Sequence, residues 1–368
     1  MIISVVKEIK DKENRVALTP AGAKSLAQSG HKVRIESSAG TGAGFTDKDY
    51  INAGAEIVNT AAAWDTDLIL KVKEPQQQEH PCLKNNILFT YLHLAGVAPA
   101  LTDNLVKAKT TAIAYETVED QDGQFPLLAP MSAIAGNMAA LVGAYYLAKI
   151  NGGKGIQPGR ILSTRHGKVM VLGDGVVGQH AAMTADGIGA NVFLFGKSDS
   201  KLKSLSATTP NTIQFVESDE AHIMQHLRDT DLLIGAVLVA GSRAPHLVTE
   251  EMVKEMQPGS VIVDVSIDQG GCIETSHVTT HSDPVFVKHD VVHYCVSNMP
   301  GAYPRTATLA LTDETLPYVI RLANEGISAL QKDHAFAKGV NTYQGFITNK
   351  AVAESLGKSE LLREFSAL

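Results

Sequence analysis

The chain has 368 residues, of which 44% are hydrophobic and 19% are charged, and its formal net charge is −7. A chain of this length is too long to fold around one typical hydrophobic core, and it fits two domains. The composition excludes the disordered and fibrous classes of protein. The acidic balance also excludes a general binder of nucleic acid or anionic membranes, because no basic stripe is present.

Neither a secretory leader nor a membrane span is expected. Residues 1–8 resemble a first strand and lack a basic flank, and no run approaches the roughly 18 uninterrupted apolar residues of a span. The cysteines Cys82, Cys272 and Cys295 are widely spaced, which is typical of reduced thiols, and we expect a cytoplasmic protein. Histidine and cysteine residues crowd positions 272–295, but their spacing matches no paired-ligand zinc pattern, so no metal site is expected.

Short β-rich runs alternate with helical patterns along the whole chain. In the first half, strands are predicted over 2–6, 32–35, 68–72, 87–91 and 111–114, and helices over 20–28 and 101–109. A long helix is predicted over 132–150, followed by an unpatterned connection over 151–167. Further strands are predicted over 169–172, 192–195, 213–216, 232–236 and 261–265, and a last long helix over 311–324.

This alternation predicts the α/β class, with two doubly wound Rossmann-type domains. The nucleotide unit lies in the middle of the chain, so the C-terminal helices are expected to complete the first domain. We therefore expect a substrate domain from residues 1–130 plus 305–368 and a dinucleotide-binding domain over 131–304.

The most specific short motif follows the strand that begins at Val169. Gly173, Gly175 and Gly178 form Gly-x-Gly-x-x-Gly between a strand-like and a helix-like run. These glycines are typical of a tight turn, a close backbone approach to a pyrophosphate, and close helix packing, with the helix N-terminus facing the anion. The alternative is a structural turn that binds nothing.

Two predicted loops carry cations that could hold a carboxylate. Arg15 lies just before the helix that starts at Pro20, where its guanidinium could grip an acid bidentately. Lys71 and Lys73 lie at the carboxyl end of a predicted strand, at the edge where ligands of open α/β sheets collect. A solvated loop or strand end is the alternative for each.

Two further segments carry groups suited to proton chemistry. His93 lies among apolar neighbours at a predicted strand terminus, and a histidine is the usual proton carrier at neutral pH. The alternative is a core histidine that takes no part in chemistry. Asp264 and Asp268 extend an apolar strand into a Gly-Gly turn, a setting in which carboxylates usually have a function.

Taken together, these segments closely resemble the family of bacterial alanine dehydrogenases and transhydrogenase NAD-binding subunits. The resemblance runs through nearly the whole chain, and several blocks in order make it more specific than the glycine turn alone. The blocks are residues 14–17, 71–75, 91–95, 114–118, 128–132, 234–239, 267–272 and 297–301.

The resemblance implies a role for each candidate in reversible conversion of L-alanine to pyruvate and ammonium, with hydride transfer to a nicotinamide cofactor. Arg15 and Lys73 would hold the substrate carboxylate, His93 would carry protons, and Asp268 would orient the imine, water and ammonia. Met131 and Asn298 would also contact substrate. The residues implied to line the dinucleotide, beside the three glycines, are Ser132, Val176, Lys201, Ser218, Val237, Leu238, Ile267, Asp268, Val296, Asn298 and Met299.

The resemblance implies NAD, a cofactor cleft between the two domains, and a homo-hexamer. Two departures bear on cofactor choice. Where relatives have an arginine shortly after the Gly-Gly-Cys turn, this chain has His277. The family normally carries an aspartate for the ribose hydroxyls at the end of the second nucleotide-domain strand, and this chain has Gly196 there. With Lys197, Ser198 and Lys201 close by, NADP use is also expected, although Asp199 could replace the missing acid.

Two rival functions remain open. One is a reductive condensing enzyme that joins pyruvate to an amino-acid amine, which would need a larger substrate cavity. The other is a nucleotide-binding subunit that passes hydride to a partner domain and lacks amino-acid activity.

Overall fold

The structure is a computed structural model that describes residues 1–237 and 244–368, apart from the side chains of Asp199 and Leu202. The chain divides into two compact units. Unit 1 comprises Met1–Met131 and Gly301–Leu368, and unit 2 comprises Ser132–Pro300. In the part of the chain that is described, no helix is long and apolar enough to cross a membrane.

The strands, in chain order, are β1 Ile2–Val5, β2 Lys32–Glu36, β3 Glu56–Val58, β4 Leu68–Leu70, β5 Ile87–Thr90, β6 Thr111–Ala114, β7 Gly159–Ile161, β8 Thr164–His166, β9 Lys168–Leu172, β10 Asn191–Gly196, β11 Ile213–Glu217, β12 Leu232–Gly235, β13 Val261–Asp264, β14 Val285–Lys288, β15 Val291–Tyr294, β16 Val340–Tyr343 and β17 Phe346–Ile347.

The helices are α1 Pro20–Gln28, α2 Asp47–Asn52, α3 Thr60–Trp64, α4 Pro99–Ala108, α5 Ala129–Tyr146, α6 Val176–Gly187, α7 Asp199–Ser206, α8 Glu220–Leu227, α9 Glu250–Lys254, α10 Pro304–Glu325, α11 Ser328–Lys332, α12 His334–Ala337 and α13 Lys350–Ser355.

Unit 1 is built on a sheet with strand order β17-β16-β6-β5-β4-β1-β2-β3. The six strands from β6 to β3 are parallel, while β16 and β17 add antiparallel pairs at one edge. The strand order reverses between β1 and β4, so the carboxyl ends of these two strands flank the crevice where open α/β sheets bind ligands.

Unit 2 repeats this plan with strand order β11-β10-β9-β12-β13-β15-β14. Its strands are parallel except for the hairpin formed by β14 and β15. The central strands are mostly apolar and, apart from Lys168 at the start of β9, buried, as expected for parallel strands covered on both faces. The order reverses between β9 and β12, beside the glycine turn. The predicted α/β class with two doubly wound units is confirmed.

Helix packing in unit 2 depends on small residues. A Cβ added at Gly136 of α5 would lie 2.3 Å from the Val177 carbonyl oxygen of α6, and one at Gly143 would lie 2.4 Å from Leu232 Cδ1 of β12. Helix α5 therefore approaches its neighbours more closely than a larger residue permits. At both positions the backbone of α5 itself makes the contact, with the α6 backbone at Gly136 and with the Leu232 side chain at Gly143.

Candidate active site

In unit 1, the structure brings Lys73 and His93 together at the carboxyl ends of the adjacent strands β4 and β5. Pairing continues past both strands, because Tyr91 N donates to Val72 O at 3.2 Å and Thr90 Oγ1 donates to Lys73 O at 3.0 Å. Lys73 Nζ lies 6.0 Å from the centroid of the Tyr91 ring, and the His93 ring stacks on the same ring at 5.8 Å between centroids. An ammonium and an imidazole thus share one aromatic neighbour.

His93 is held in an unusual backbone conformation by a carboxylate that the sequence reasoning missed. Its φ angle is 48°, a left-handed value that is uncommon for a residue with a side chain. Glu116 accepts hydrogen bonds from the backbone N–H groups of His93 at 2.6 Å and Leu92 at 3.2 Å, and its Oε1 lies 3.8 Å from His93 Nδ1. The imidazole is 44% exposed, so the alternative of a core histidine is wrong.

Arg15 is buried and oriented by Glu13. Its Nε and Nη2 atoms donate to the two carboxylate oxygens of Glu13 at 2.7 and 2.5 Å, in the two-bond geometry that guanidinium and carboxylate favour. Nη1 lies 3.1 Å from Sδ of Met131, a second predicted substrate residue. Glu13 therefore fixes the plane of the guanidinium. No separate role was expected for Glu13 from the sequence, although an acid two residues before a loop arginine is a usable signal.

Lys71 does not reach the site, because a buried charge cluster holds it. Its Nζ is fully buried at 3.2 Å from Glu8 Oε2 and 3.0 Å from Glu79 Oε1. The other oxygen of Glu8 accepts the backbone N–H groups of Val72 at 2.6 Å and Lys73 at 3.3 Å. Burial raises the pKa of Glu8. The cluster anchors the backbone that presents Lys73, and no local pattern identified Glu8 beforehand.

In unit 2, the glycine turn has the geometry of a phosphate-binding loop. Gly173 has a φ of 113°, and a Cβ at Gly178 would lie only 1.7 Å from the Gly173 carbonyl oxygen, so helix and turn are in direct backbone contact. A Cβ at Gly175, by contrast, would meet no described atom within 4 Å. Gly175 is the N-cap of α6, where no described side chain makes a capping hydrogen bond. The turn therefore presents open space and helix-end N–H groups, which fits a pyrophosphate.

Most other predicted dinucleotide residues lie at the same edge of the unit 2 sheet, just past the carboxyl ends of its strands. Ser218 N donates to Gly196 O at 2.9 Å, and Val237 N donates to Ser266 Oγ at 2.9 Å. Ser132 lies in the first turns of α5, one turn before the close contact at Gly136. Those that lie at the carboxyl end of a strand or within five residues after it are Val176, Gly196, Ser218, Val237, Ile267, Val296 and Met299.

Leu238 lies outside the described residues.

The loop that follows β10 at this edge combines glycine, serine and lysine. Gly196 is buried and ends β10, and Ser198 caps α7 by accepting from Lys201 N at 3.3 Å. Lys197 is exposed in the same loop. Lys201 Nζ lies 2.8 Å from Oδ1 of Asp174 in the glycine turn, an ion pair that the sequence reasoning did not foresee. The side chain of Asp199 lies outside the described residues.

Asp268 and Asp264 have different environments. Asp268 is exposed in the turn after β13, where its side chain is accessible. Asp264 is buried and accepts the backbone N–H groups of Ser266 at 3.0 Å, Cys272 at 3.0 Å and Ile273 at 3.3 Å, and burial raises its pKa. Asp264 therefore anchors both ends of the turn that presents Asp268. Two aspartates that look alike in the sequence thus differ in accessibility.

Asn298 has a left-handed backbone with φ of 61°, and its carbonyl oxygen lies 3.1 Å from Nε2 of His281. His281 therefore helps to hold the segment that carries Asn298 and Met299. Among the described residues, no group of three or more histidine, cysteine or acidic side chains could hold a metal ion.

Two mostly parallel sheets, each with one reversal of strand order, and an open glycine turn define a protein of the dinucleotide-binding α/β class. Family models described as "Alanine dehydrogenase/PNT, N-terminal domain" and "Alanine dehydrogenase/PNT, C-terminal domain" match residues 4–135 and 139–350. The chain belongs to the alanine dehydrogenase/PNT family. Family membership implies a nicotinamide cofactor.

Individual relatives agree with this assignment. The chain is 48% identical over 359 residues to "Alanine dehydrogenase 2" of Staphylococcus aureus (strain USA300), covering 96% of each chain. It matches a solved structure titled "L-ALANINE DEHYDROGENASE" at 47% identity and a TM-score of 0.93, covering 97% of this chain and 99% of that one. A transhydrogenase from Sinorhizobium meliloti, 24% identical with a TM-score of 0.82 over 94% of this chain and 100% of that one, shares the fold.

Proposed function

We propose that this protein is an L-alanine dehydrogenase. In the reaction, L-alanine, an oxidised nicotinamide cofactor and water give pyruvate, ammonium, the reduced cofactor and a proton. The near-complete match to named alanine dehydrogenases supports this function, and the observation that carries it is the cluster of Lys73, Tyr91 and His93 at two strand ends.

We assign Arg15 and Lys73 of unit 1 to binding of the substrate carboxylate. Glu13 already orients the Arg15 guanidinium, so little side-chain entropy is lost when it binds an acid. Lys73 adds a second positive charge, and its backbone N–H donates a hydrogen bond to Glu8. Two fixed cations restrict how the carboxylate lies and so restrict which face of the substrate Cα is presented to the cofactor.

His93 is assigned to proton transfer. When water adds to the imine carbon, the neutral imidazole accepts a proton from it, and it gives a proton back as ammonia leaves. A nicotinamide cofactor, when bound, would supply the acceptor for the hydride of the substrate Cα. We assign Asp268 to orientation of the attacking water and the departing ammonia.

The remaining assignments follow from the family resemblance. We propose that residues 1–130 with 305–368 form the catalytic domain and residues 131–304 the dinucleotide-binding domain, and that Met131 and Asn298 contact the substrate. NAD is the proposed cofactor, with NADP use permitted because Gly196 carries no carboxylate. A cytoplasmic homo-hexamer is proposed on the resemblance alone, and sedimentation of the purified protein tests it.

A steady-state assay tests the function. Purified protein with pyruvate, ammonium and NADH should oxidise the cofactor, and replacing ammonium by amino-acid amines should abolish most of the rate. A faster reaction with an amino-acid amine would instead favour the reductive condensing enzyme. Absence of turnover in both directions with either cofactor would favour a hydride-transfer subunit and remove the proposal.

A further inference from the structure

Unit 2 lacks the expected acid at Gly196, yet it places another carboxylate beside that position. Strands β9 and β10 pair in register up to Leu172 and Phe195, and Gly173 N donates to Phe195 O at 3.0 Å. Asp174 is the next residue along the turn. It therefore leaves the sheet beside the end of β10, where Gly196 stands.

The Asp174 carboxylate is also oriented by an ion-pair partner. Lys201 extends from the first turn of α7 and places Nζ 2.8 Å from Asp174 Oδ1. The Asp174 side chain is 17% exposed and that of Lys201 is 48% exposed. A carboxylate offers about four lone-pair positions, so a single bond to lysine leaves it able to accept hydrogen bonds from ribose hydroxyls.

The surrounding turn fits a dinucleotide on independent grounds. The space above Gly175 is empty of described protein atoms to 4 Å, and the N-terminus of α6 opens onto it. A pyrophosphate held there leaves the adenosine ribose at the end of β10, as in other folds of this class. This is the side of the turn on which the Asp174 and Lys201 pair lies.

We propose that Asp174 is the residue that determines cofactor specificity, replacing the acid absent at Gly196. Its carboxylate accepts hydrogen bonds from the ribose hydroxyls of NAD(H) and repels a 2′-phosphate. Its ion pair with Lys201 also keeps the lysine charge away from that phosphate. The proposal rests on the proposed function for its nicotinamide cofactor. It limits the use of NADP(H) that Gly196, Lys197 and Ser198 would otherwise permit.

Binding of adenosine fragments to the full chain tests this without turnover. Calorimetric titration measures the affinities for 5′-AMP and for adenosine 2′,5′-bisphosphate. The affinity for the bisphosphate divided by that for 5′-AMP is the affinity ratio that reports preference for the 2′-phosphate. The Asp174→Asn variant keeps the size of the side chain, and it should raise this ratio at least about tenfold, equivalent to about 1.4 kcal/mol. Adding Lys201→Gln to that variant should remove most of the gain.

The matched control is Asp229→Asn. Asp229 pairs with Lys168 at the start of β9, which is the opposite edge of the same sheet, so this variant removes a carboxylate of similar type from unit 2. Its affinity ratio should equal that of the parent. The proposal is overturned if the affinity ratio of Asp174→Asn stays within about twofold of the parental ratio. It is also overturned if Asp229→Asn raises the affinity ratio as much as Asp174→Asn does.

Steady-state kinetics with NADH and NADPH separate this proposal from the proposed function. The Asp174→Asn variant should shift kcat/KM toward NADPH by a factor similar to the shift in fragment affinity. Turnover with an unchanged preference would reject the role of Asp174 alone. If pyruvate and ammonium give no turnover while the fragment ratio shifts, the dehydrogenase function fails and the role of Asp174 stands.

Discussion

The side chain with the clearest chemical assignment is His93, because its ring is accessible and its backbone is fixed. The left-handed backbone, the Tyr91 stack and the Glu116 hydrogen bonds each restrain the imidazole. Such restraint is what a proton-transfer group needs, since a small displacement of the reacting atoms lowers the rate strongly. A sequence pattern alone cannot distinguish this arrangement from a buried histidine.

We predict that His93→Ala lowers kcat about a hundredfold or more, the usual scale for loss of a general acid–base group. Cofactor affinity should change little, because His93 lies in unit 1 and the glycine turn lies in unit 2. Measurement of kcat and KM in both directions checks this. The control is His31→Ala, which removes a unit 1 histidine bonded to Asn324 and should retain parental kcat. Near-normal kcat in His93→Ala would contradict the assignment.

At this scale the sequence indicates the candidate reactive groups but not the residues that hold them in place. Arg15, Lys73 and His93 stand at strand or loop ends, where a periodicity break reveals a polar residue. Glu8 and Glu116 act through contacts with residues more than 20 positions away, which no local pattern encodes. Lys71 and Lys73 are equivalent in sequence, and only the contacts with Glu8 and Glu79 show that Lys71 is held away from the site.

At the scale of elements, the predicted strands and helices largely agree with the structure. Helix α1 and strand β6 have the predicted bounds, because Thr19 caps the helix and the strand is wholly apolar or β-branched. The hairpin of β7 and β8 was missed inside the supposed connection 151–167, since its strands are short and mostly exposed. Strands β14 to β17 were also missed, because each has only two to four residues, too few for a periodicity to be recognised.

The turn between β9 and α6 supports a test that separates folding from binding. A methyl group at Gly175 meets no described protein atom, and the same holds for Gly187 at the end of α6. Both Gly175→Ala and Gly187→Ala should therefore fold with a midpoint of thermal unfolding near or above the parental value. Only Gly175→Ala should weaken NADH binding, by about tenfold or more, because its methyl group occupies the space for the pyrophosphate. Equal affinity in the two variants would contradict this function for the turn.

Strand β15 carries a histidine that makes stability depend on pH. His293 Nδ1 donates to Val291 O at 2.9 Å and Nε2 lies 2.8 Å from the Thr275 hydroxyl, so the neutral ring has both nitrogens satisfied. Burial lowers its pKa to about 4. The ordinary value in the unfolded chain is about 6.5, so the unfolded state binds a proton more readily as the pH falls through this window.

We therefore predict that His293 contributes a loss of stability that begins as the pH drops below about 6.5 and is complete near pH 4, amounting to about 3 kcal/mol. The variant His293→Gln retains an amide that can hydrogen bond but does not titrate. Its midpoint of thermal unfolding should fall less steeply than that of the parent between pH 7 and pH 4. Parallel pH profiles for the two proteins would show that this group is not responsible.

At the scale of the whole molecule, each unit follows the same doubly wound plan with its functional residues at the carboxyl ends of its strands. Unit 1 presents cations and an imidazole, and unit 2 presents an open glycine turn. The alternating sequence predicted this fold class, because parallel strands require a helical crossover between them. The course of the chain after Pro300, which returns to pair β16 with β6, depends on contacts distant in sequence.

The most direct test of the central claim follows the hydride itself. When the protein turns over L-alanine deuterated at Cα with oxidised cofactor, we expect one deuterium at C4 of the nicotinamide for each pyruvate formed. Proton magnetic resonance and mass spectrometry of the reduced cofactor measure this transfer. The same experiment with His93→Ala should give the same label at a much lower rate, because the histidine moves protons and not the hydride. Formation of pyruvate with no deuterium on the cofactor, or no pyruvate at all, would contradict the assignment of this protein as an alanine dehydrogenase.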